Sequence, residues 1–307
     1  MTFKSGDKYN GSFVNDEMDG YGVYTFSNDD SDGAIQYSGY FKDSLWNGNG
    51  TFLWNDGAKY VGNFEDNWRH GFGTYYFKEE DLRERYEGNI EKGDFQGQGK
   101  MFWKNGNTYE GNFVNDQMDG YGVMTFFKDN SDGASQYTGY FKESLRNGNG
   151  TFLWNDGNKY VGNFEADLIN GFGTFYYFNK EDSKEKYEGN FEKGDFQGHG
   201  KMFWKNGDKY VGSFVNDYTD GVGTYYFNKE HSGERYEGNN EKGKFMGQGK
   251  MFWKNGNKYE GNFVNDLMDG YGVMTFSKDN SDGPSQYIGY FKESKKHGNG
   301  TMTWKSG

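Results

Sequence analysis

Lys100–Gly122 reads KMFWKNGNTYEGNFVNDQMDGYG, and its parsing decides the fold. The segment opens on a strand end, Met101-Phe102-Trp103, and turns at Asn105-Gly106. It runs through Tyr109-x-Gly-x-Phe113 as a second strand, turns again, and opens a third strand at Gly120-x-Gly122. Tyr109, Gly111 and Phe113 alternate with Glu110, Asn112 and Val114, the period of a strand with one aromatic face.

The same phase recurs along the whole chain, with Tyr-x-Gly starting at Tyr9, Tyr37, Tyr60, Tyr86, Tyr109, Tyr137, Tyr160, Tyr187, Tyr210, Tyr236, Tyr259 and Tyr287. Each start is followed eleven residues later by Gly-x-Gly. The spacing alternates between 23 and 26 to 28 residues, so copies are grouped in pairs. A longer period shows where Trp54-Asn-Asp-Gly57 returns at Trp154-Asn-Asp-Gly157. The chain reads as one continuous array over residues 1–307, with its first and last hexapeptides in matching phase.

Composition fits a thin structure. Hydrophobic content of 33%, 50 glycines and a mean hydropathy of -1.10 do not supply two thick cores. Yet 29 Phe, 26 Tyr and 8 Trp are unlike a disordered chain, so burial has to come from ring faces. A net charge of -12 argues against nucleic acid as a partner and disfavours anionic membranes. With no cysteine, thiolate catalysis and Cys-type zinc sites are out of reach. No apolar run approaches the roughly 20 residues of a membrane helix, and the start carries no apolar leader, so a cytoplasmic location is the expectation.

In the first copy, Tyr9, Gly11 and Phe13 form one strand face, Asn15 to Asp19 a turn, and Gly20, Gly22, Tyr24 and Phe26 the matching face of the next strand. Pairing such strands sets rings of one against glycines of its neighbour. Short connections at Asp56-Gly57, Asn105-Gly106, Asn206-Gly207 and Asn255-Gly256 predict tight hairpins of positive φ. Longer ones alternate with them: Ser27–Gln36, Lys78–Arg85, Lys128–Gln136, Asn179–Lys186, Asn228–Arg235 and Ser277–Gln286, all expected on one edge. Lys78–Arg85 has the composition for a single polar turn, and no stretch sustains helical periodicity. The expected fold is all-β: a single elongated, twisted and curved antiparallel meander of about 24 strands, roughly 115 Å long at the usual strand spacing.

The pattern Tyr-x-Gly-x-Phe, turn, Gly-x-Gly resembles the MORN repeat (membrane occupation and recognition nexus), most clearly at Tyr86–Gly99 and Tyr187–Gly200. The resemblance covers essentially the whole chain. At the central turn the family's usual Gly is kept at Gly93, Gly194 and Gly243 but is Asp16, Asp116, Asp217 or Asp266 elsewhere, which predicts a change of turn type. Ile90 and Asn240 stand where Phe is expected, making the tenth copy either a weak link or a partner contact. The resemblance implies stacked hairpins acting as a scaffold for other proteins in cytoskeletal or ciliary assemblies such as radial spokes. A partner helix in the aromatic groove and homodimers are among the modes it implies; lipid binding is its alternative.

Other motifs resolve into structure. Gly20-Tyr21-Gly22 lacks a third glycine and a following helix, and Gly99-Lys100-Met101 fails as a phosphate loop. Asn28–Gly33 begins like a calcium loop, but its twelfth position is Gly39. The four histidines are scattered, and the Asn-Gly-Ser/Thr sequences at Asn10, Asn49, Asn149 and Asn299 read as incidental. We therefore expect a non-catalytic chain with no cofactor or metal. The expected protein-binding groove is lined by Tyr60, Phe64, Trp103, Tyr109, Phe113, Tyr137, Phe141, Trp154, Tyr160, Phe164, Tyr187, Phe191, Trp204, Tyr210, Phe214, Trp253, Tyr259 and Phe263. Trp103-Lys104, Trp204-Lys205 and Trp253-Lys254 support the membrane-apposed alternative. The terminal strands Met1–Lys4 and Thr301–Trp304 offer edges for self-association.

Overall fold

The computed structural model describes residues 1–27, 33–128, 133–277 and 283–305, so the start of the calcium-like loop, Asn28 to Asp32, lies outside the described residues. Two compact units divide the chain, Met1–Asn155 and Asp156–Gly307. The first holds β1 (Lys8–Val14), β2 (Glu17–Thr25), β3 (Ala34–Lys42), β4 (Leu45–Trp54), β5 (Lys59–Glu65), β6 (Trp68–Tyr76), β7 (Arg83–Glu91), β8 (Asp94–Trp103), β9 (Thr108–Val114), β10 (Gln117–Thr125), β11 (Ala134–Lys142) and β12 (Leu145–Trp154). The second holds β13 (Lys159–Glu165), β14 (Leu168–Tyr176), β15 (Lys184–Glu192), β16 (Asp195–Trp204), β17 (Lys209–Val215), β18 (Tyr218–Tyr226), β19 (Gly233–Glu241), β20 (Lys244–Trp253), β21 (Lys258–Val264), β22 (Leu267–Thr275), β23 (Pro284–Lys292) and β24 (Lys295–Trp304). Within each unit every strand pairs antiparallel with the next in the chain, an uncrossed meander as expected. Among the described residues there is no helix.

The two glycines of Gly-x-Gly do different jobs, as β9 and β10 show. Gly111 and Gly122 are cross-strand partners, and the Tyr109 ring lies flat over both. A Cβ on Gly111 would stand 2.4 Å from Tyr109 Oη, and one on Gly122 would stand 2.4 Å from its ring. Gly120 instead takes φ +97° where a bulge sets Asn112 against three residues of β10. The bulge frees the Asn112 carbonyl, which accepts the Tyr109 hydroxyl at 3.0 Å. So the ring is bonded at its polar tip and seated on bare backbone.

Turn chemistry departs from expectation in two ways. The Asn-Gly connections are three-residue loops: Gly106 N–H donates to Trp103 O at 2.9 Å, and of its loop only Gly106 has positive φ. The tight turns with two positive-φ residues are the others, such as Asn115-Asp116 at 47° and 66°, so the predicted turn over Asn15–Asp19 shrinks to Asn15-Asp16. Replacing Gly by Asp leaves turn type unchanged, since Lys92-Gly93 takes the same conformation. What Asp adds is a clip. Asp116 Oδ1 accepts the Phe95 N–H at 2.8 Å while its own N–H donates to Phe95 O at 3.2 Å, tying the hairpin tip to the strand before it. Asp217 and Asp266 repeat this on Phe196 and Phe245. Ser44 and Asn67 do so with Oγ and Oδ1, on Met18 and Trp46.

At the start of the chain, Met1 lies along β1. The Tyr9 N–H donates to Met1 O at 2.9 Å, and Thr2 bridges Lys8, so this edge is partly covered. Lys78–Asp81 closes one turn, as the composition predicts, with Asp81 N–H on Lys78 O at 3.1 Å.

Candidate interaction surfaces

On the ring-bearing face a Tyr with regular neighbours meets two Phe edges. Tyr109 lies 5.2 Å from Phe113 of its own strand and 5.0 Å from Phe141 of the next repeat, both T-shaped. Tyr187 relates to Phe191 and Phe214 in the same way. A residue from the Gly-x-Gly strand then covers the ring: Trp46 stacks on Tyr37 at 5.0 Å, while Phe95, Phe196 and Phe245 stack on Tyr86, Tyr187 and Tyr236 at 3.8 Å. Met18 and Met118 take this place in their repeats, cross-strand from Phe13 and Phe113.

This covering layer corrects the groove expected from sequence. Tyr60, Phe64, Tyr109, Phe113, Tyr137, Phe141, Tyr160, Phe164, Tyr187, Phe191, Tyr210, Phe214, Tyr259 and Phe263 are each 6% exposed or less, so they form the core. A sheet of one layer covers its own apolar side because side chains four residues ahead of each second glycine, such as Trp46 before Gly50 and Phe95 before Gly99, fold back over the rings. Only Trp103, Trp154, Trp204 and Trp253 of that set remain half-buried and reachable. Burial pushes the hydroxyls of Tyr109 and Tyr160 up to about 12 despite their backbone hydrogen bonds.

The two irregular copies behave differently. Ile90 is buried and replaces Phe by aliphatic packing. Asn240 is 5% exposed, with Nδ2 3.4 Å from Gly238 O, and it walls a cavity of about 430 Å³ in the second unit.

The opposite face carries the rings that sequence reasoning missed. Tyr121 (56% exposed) pairs cross-strand with Tyr140 (52%), their rings T-shaped at 5.5 Å, and Tyr21–Tyr40 and Tyr271–Tyr290 repeat the pair. Phe72 and Phe172 occupy the same Gly-x-Gly position and are also exposed. The available signal was an aromatic at the x of Gly-x-Gly opposite Gly-Tyr-Phe, which places two rings at one cross-strand site.

The Trp-Lys pairs have an internal role. Lys254 Nζ donates to the carbonyls of Asn228, Lys229 and His231 at 2.6 to 2.8 Å. Lys205 Nζ holds Asn179 O and Asp182 O, and Lys104 Nζ holds Lys78 O and Glu79 O. Each short loop thus anchors the longer loop beside it, and these ammonium groups are engaged rather than presented outward.

Twelve buried Tyr–Gly seats in one phase make a repeat architecture, and the MORN-repeat family profile matches residues 9–31, 37–59, 60–81, 86–108, 109–131, 137–159, 160–180, 187–209, 210–231, 236–258, 259–281 and 287–307. The chain belongs to the MORN-repeat family. MORN repeats are non-enzymatic modules for contact with proteins or membranes. Among curated relatives, alsin from Rattus norvegicus and from Homo sapiens is 34% identical over 73 residues, which is 24% of this chain and 4% of alsin. The MORN chain therefore spans only a small part of those relatives. Among solved structures, the SAS-4 (dCPAP) TCP domain of Drosophila melanogaster in complex with a proline-rich motif of Ana2 (dSTIL) is similar at 12% identity and a TM-score of 0.20. That match covers 53% of this chain and 77% of the other, and it is too slight to bear on function.

Proposed function

We propose that this MORN chain is a non-catalytic scaffold that binds other proteins on its exposed ring positions, as a component of a cytoskeletal or ciliary assembly. The observation that carries the protein-binding reading is the recurrence of solvent-exposed tyrosine pairs, such as Tyr121–Tyr140, at one register position. Exposed rings repeated in register are the surface that hot spots use, because a rigid ring gives large contact area for little lost entropy. The assembly's identity rests on family analogy alone.

A photo-crosslinking residue at Tyr121, compared with one at the buried Phe113, tests this in native extract. We expect defined protein adducts at the first position. They should be lost when Tyr21, Tyr40, Tyr140, Tyr271 and Tyr290 are changed to Ser in a still-folded chain. Adducts unaffected by those changes, or recruitment to anionic liposomes without protein adducts, would contradict it.

A further inference from the structure

The two units carry the same ring cage 150 residues apart, and of these two only the first holds an arginine. In the first unit Arg69 stands over the rings of Trp54 and Tyr75, with Phe77 and Phe95 lining the same cavity; in the second the same places are Trp204, Tyr225, Phe227 and Phe245. Ring geometry agrees: Trp54–Tyr75 and Trp204–Tyr225 lie 5.7 and 5.3 Å apart, Tyr75–Phe95 and Tyr225–Phe245 6.0 and 5.8 Å.

Arg69 shows what such a cage holds. Its guanidinium carbon stands 5.1 Å from the Tyr75 centroid and 5.6 Å from that of Trp54, and Nη2 donates to Gly93 O at 2.8 Å. Arg83 adds a second guanidinium 4.0 Å from the Phe77 centroid. In the second unit Arg69 is replaced by Thr219 and Arg83 by Gly233. His231 takes the place of the Arg83 side chain, its ring stacked on Phe227 at 4.3 Å, so the difference between the cages lies at the Arg69 position beside Trp204, Tyr225 and Phe245. A Cβ built on Gly93 meets Arg69 Nη2 at 3.3 Å, whereas one on Gly243 meets nothing within 4 Å. The cavity there is about 430 Å³, against about 280 Å³ at the filled cage.

Charge fits a cation. The rim of the second cage carries the carboxylates of Asp217 and Asp266, each with one oxygen on a backbone N–H. Among the described residues the cation lining it is Lys184, whose ammonium lies 5.2 Å from the Tyr177 centroid. The Tyr225 hydroxyl donates to Asp208 at 2.6 Å, placing a further carboxylate beside the cage.

We infer that the cage of Trp204, Tyr225, Phe227 and Phe245 is a docking pocket for an arginine side chain of a partner protein, seated as Arg69 is and donating to Gly243 O. This rests on the reading of the chain as a protein-binding scaffold.

The test uses the full chain labelled with 5-fluorotryptophan and ¹⁹F NMR, with N-acetyl-arginine amide as probe. The Trp204 resonance shifts on titration while that of Trp54 does not. The neutral isostere N-acetyl-citrulline amide binds at least about fivefold more weakly, the ratio expected for about 1 kcal/mol of cation–π attraction. Thr219→Arg fills the cage from within and abolishes the response; Arg69→Thr gives Trp54 a response it lacked. A silent Trp204, equal binding of arginine and citrulline, equal binding of N-acetyl-lysine amide, or a responding T219R chain would each overturn the assignment. Photo-crosslinking separates this from the broader reading. Protein adducts at Tyr121 that persist while Trp204 is silent sink the pocket alone, and loss of all adducts sinks the scaffold.

Discussion

Gly111→Ala puts the account of the buried ring under most strain. The added methyl would stand 2.4 Å from Tyr109 Oη and 2.6 Å from Gly122 Cα, and the ring has no free direction, since Phe113 and Phe141 hold its edges and Asn112 O its hydroxyl. Overpacking alone costs about 1–3 kcal/mol, and each displaced ring pair adds about 0.5–1.5 kcal/mol. We expect a loss of about 3 kcal/mol or more. The matched control is Gly57→Ala, where φ is +89° and a Cβ meets nothing within 4 Å. There the cost is the left-handed conformation of an alanine, about 1–2 kcal/mol. Urea unfolding followed by tryptophan fluorescence compares the two, with amide exchange at Gly111 and Gly122 reporting the local loss, because repeat arrays can open in parts. In a Tyr109→Ala background the same Gly111→Ala change should cost clearly less, keeping only the part that comes from the 2.6 Å approach to Gly122 Cα, a non-additivity that a double-mutant cycle reads directly. Equal costs for the two glycines, or additivity with Tyr109→Ala, would refute the reasoning.

Other outcomes follow from the same geometry. Asp116→Ala removes the acceptor for the Phe95 N–H and leaves alanine at positive φ, costing about 1–3 kcal/mol by urea midpoint, while Asp116→Gly costs less because only the hydrogen bond is lost. Tyr109 and Tyr160 ionise near 12 in the folded chain against 10.0 for a free tyrosine, chiefly from burial, so the folded state binds more protons between those values. Their contribution is fully present below pH 10 and is lost as pH rises through 12, which absorbance at 295 nm recorded beside circular dichroism will show. Asn240→Phe completes the Tyr–Phe ladder between Tyr210 and Tyr236, raises the second unit's stability by about 1 kcal/mol and narrows the Trp204 cage, so the ¹⁹F response weakens. Lys254→Met frees three loop carbonyls and speeds amide exchange across Asn228–His231 without moving the urea midpoint by more than about 0.5 kcal/mol.

Strand identity and order were legible because Tyr109-x-Gly-x-Phe113 and Gly120-x-Gly122 carry the period of two and the turn residues between them. The ring-on-glycine seat followed from opposing those faces. The covering layer was not legible. Its place is taken by Met18, Trp46, Arg69, Phe95 and Thr219 in different copies, residues with no shared chemistry, so no pattern marks a position defined only by geometry. That gap turned core tyrosines into an expected groove. The clip by Asp116 was hidden for another reason. A side chain replacing a strand's acceptor acts on Phe95, 21 residues away, a partner that only the register identifies. The arginine-free cage at Trp204 showed only on comparing the two units' residues, since Thr219 is unremarkable until Arg69 is seen at the matching position.

Tyrosine nitration of the native chain, mapped by mass spectrometry at neutral pH, addresses the central claim that one face's tyrosines are sealed on their glycines while the other face's stand free. The account predicts rapid modification of Tyr21, Tyr40, Tyr121, Tyr140, Tyr271 and Tyr290, with Tyr37, Tyr60, Tyr109, Tyr160, Tyr187 and Tyr259 protected until the chain is denatured. Modification of Tyr109 and Tyr160 at the rate of Tyr121 in the folded chain would contradict it.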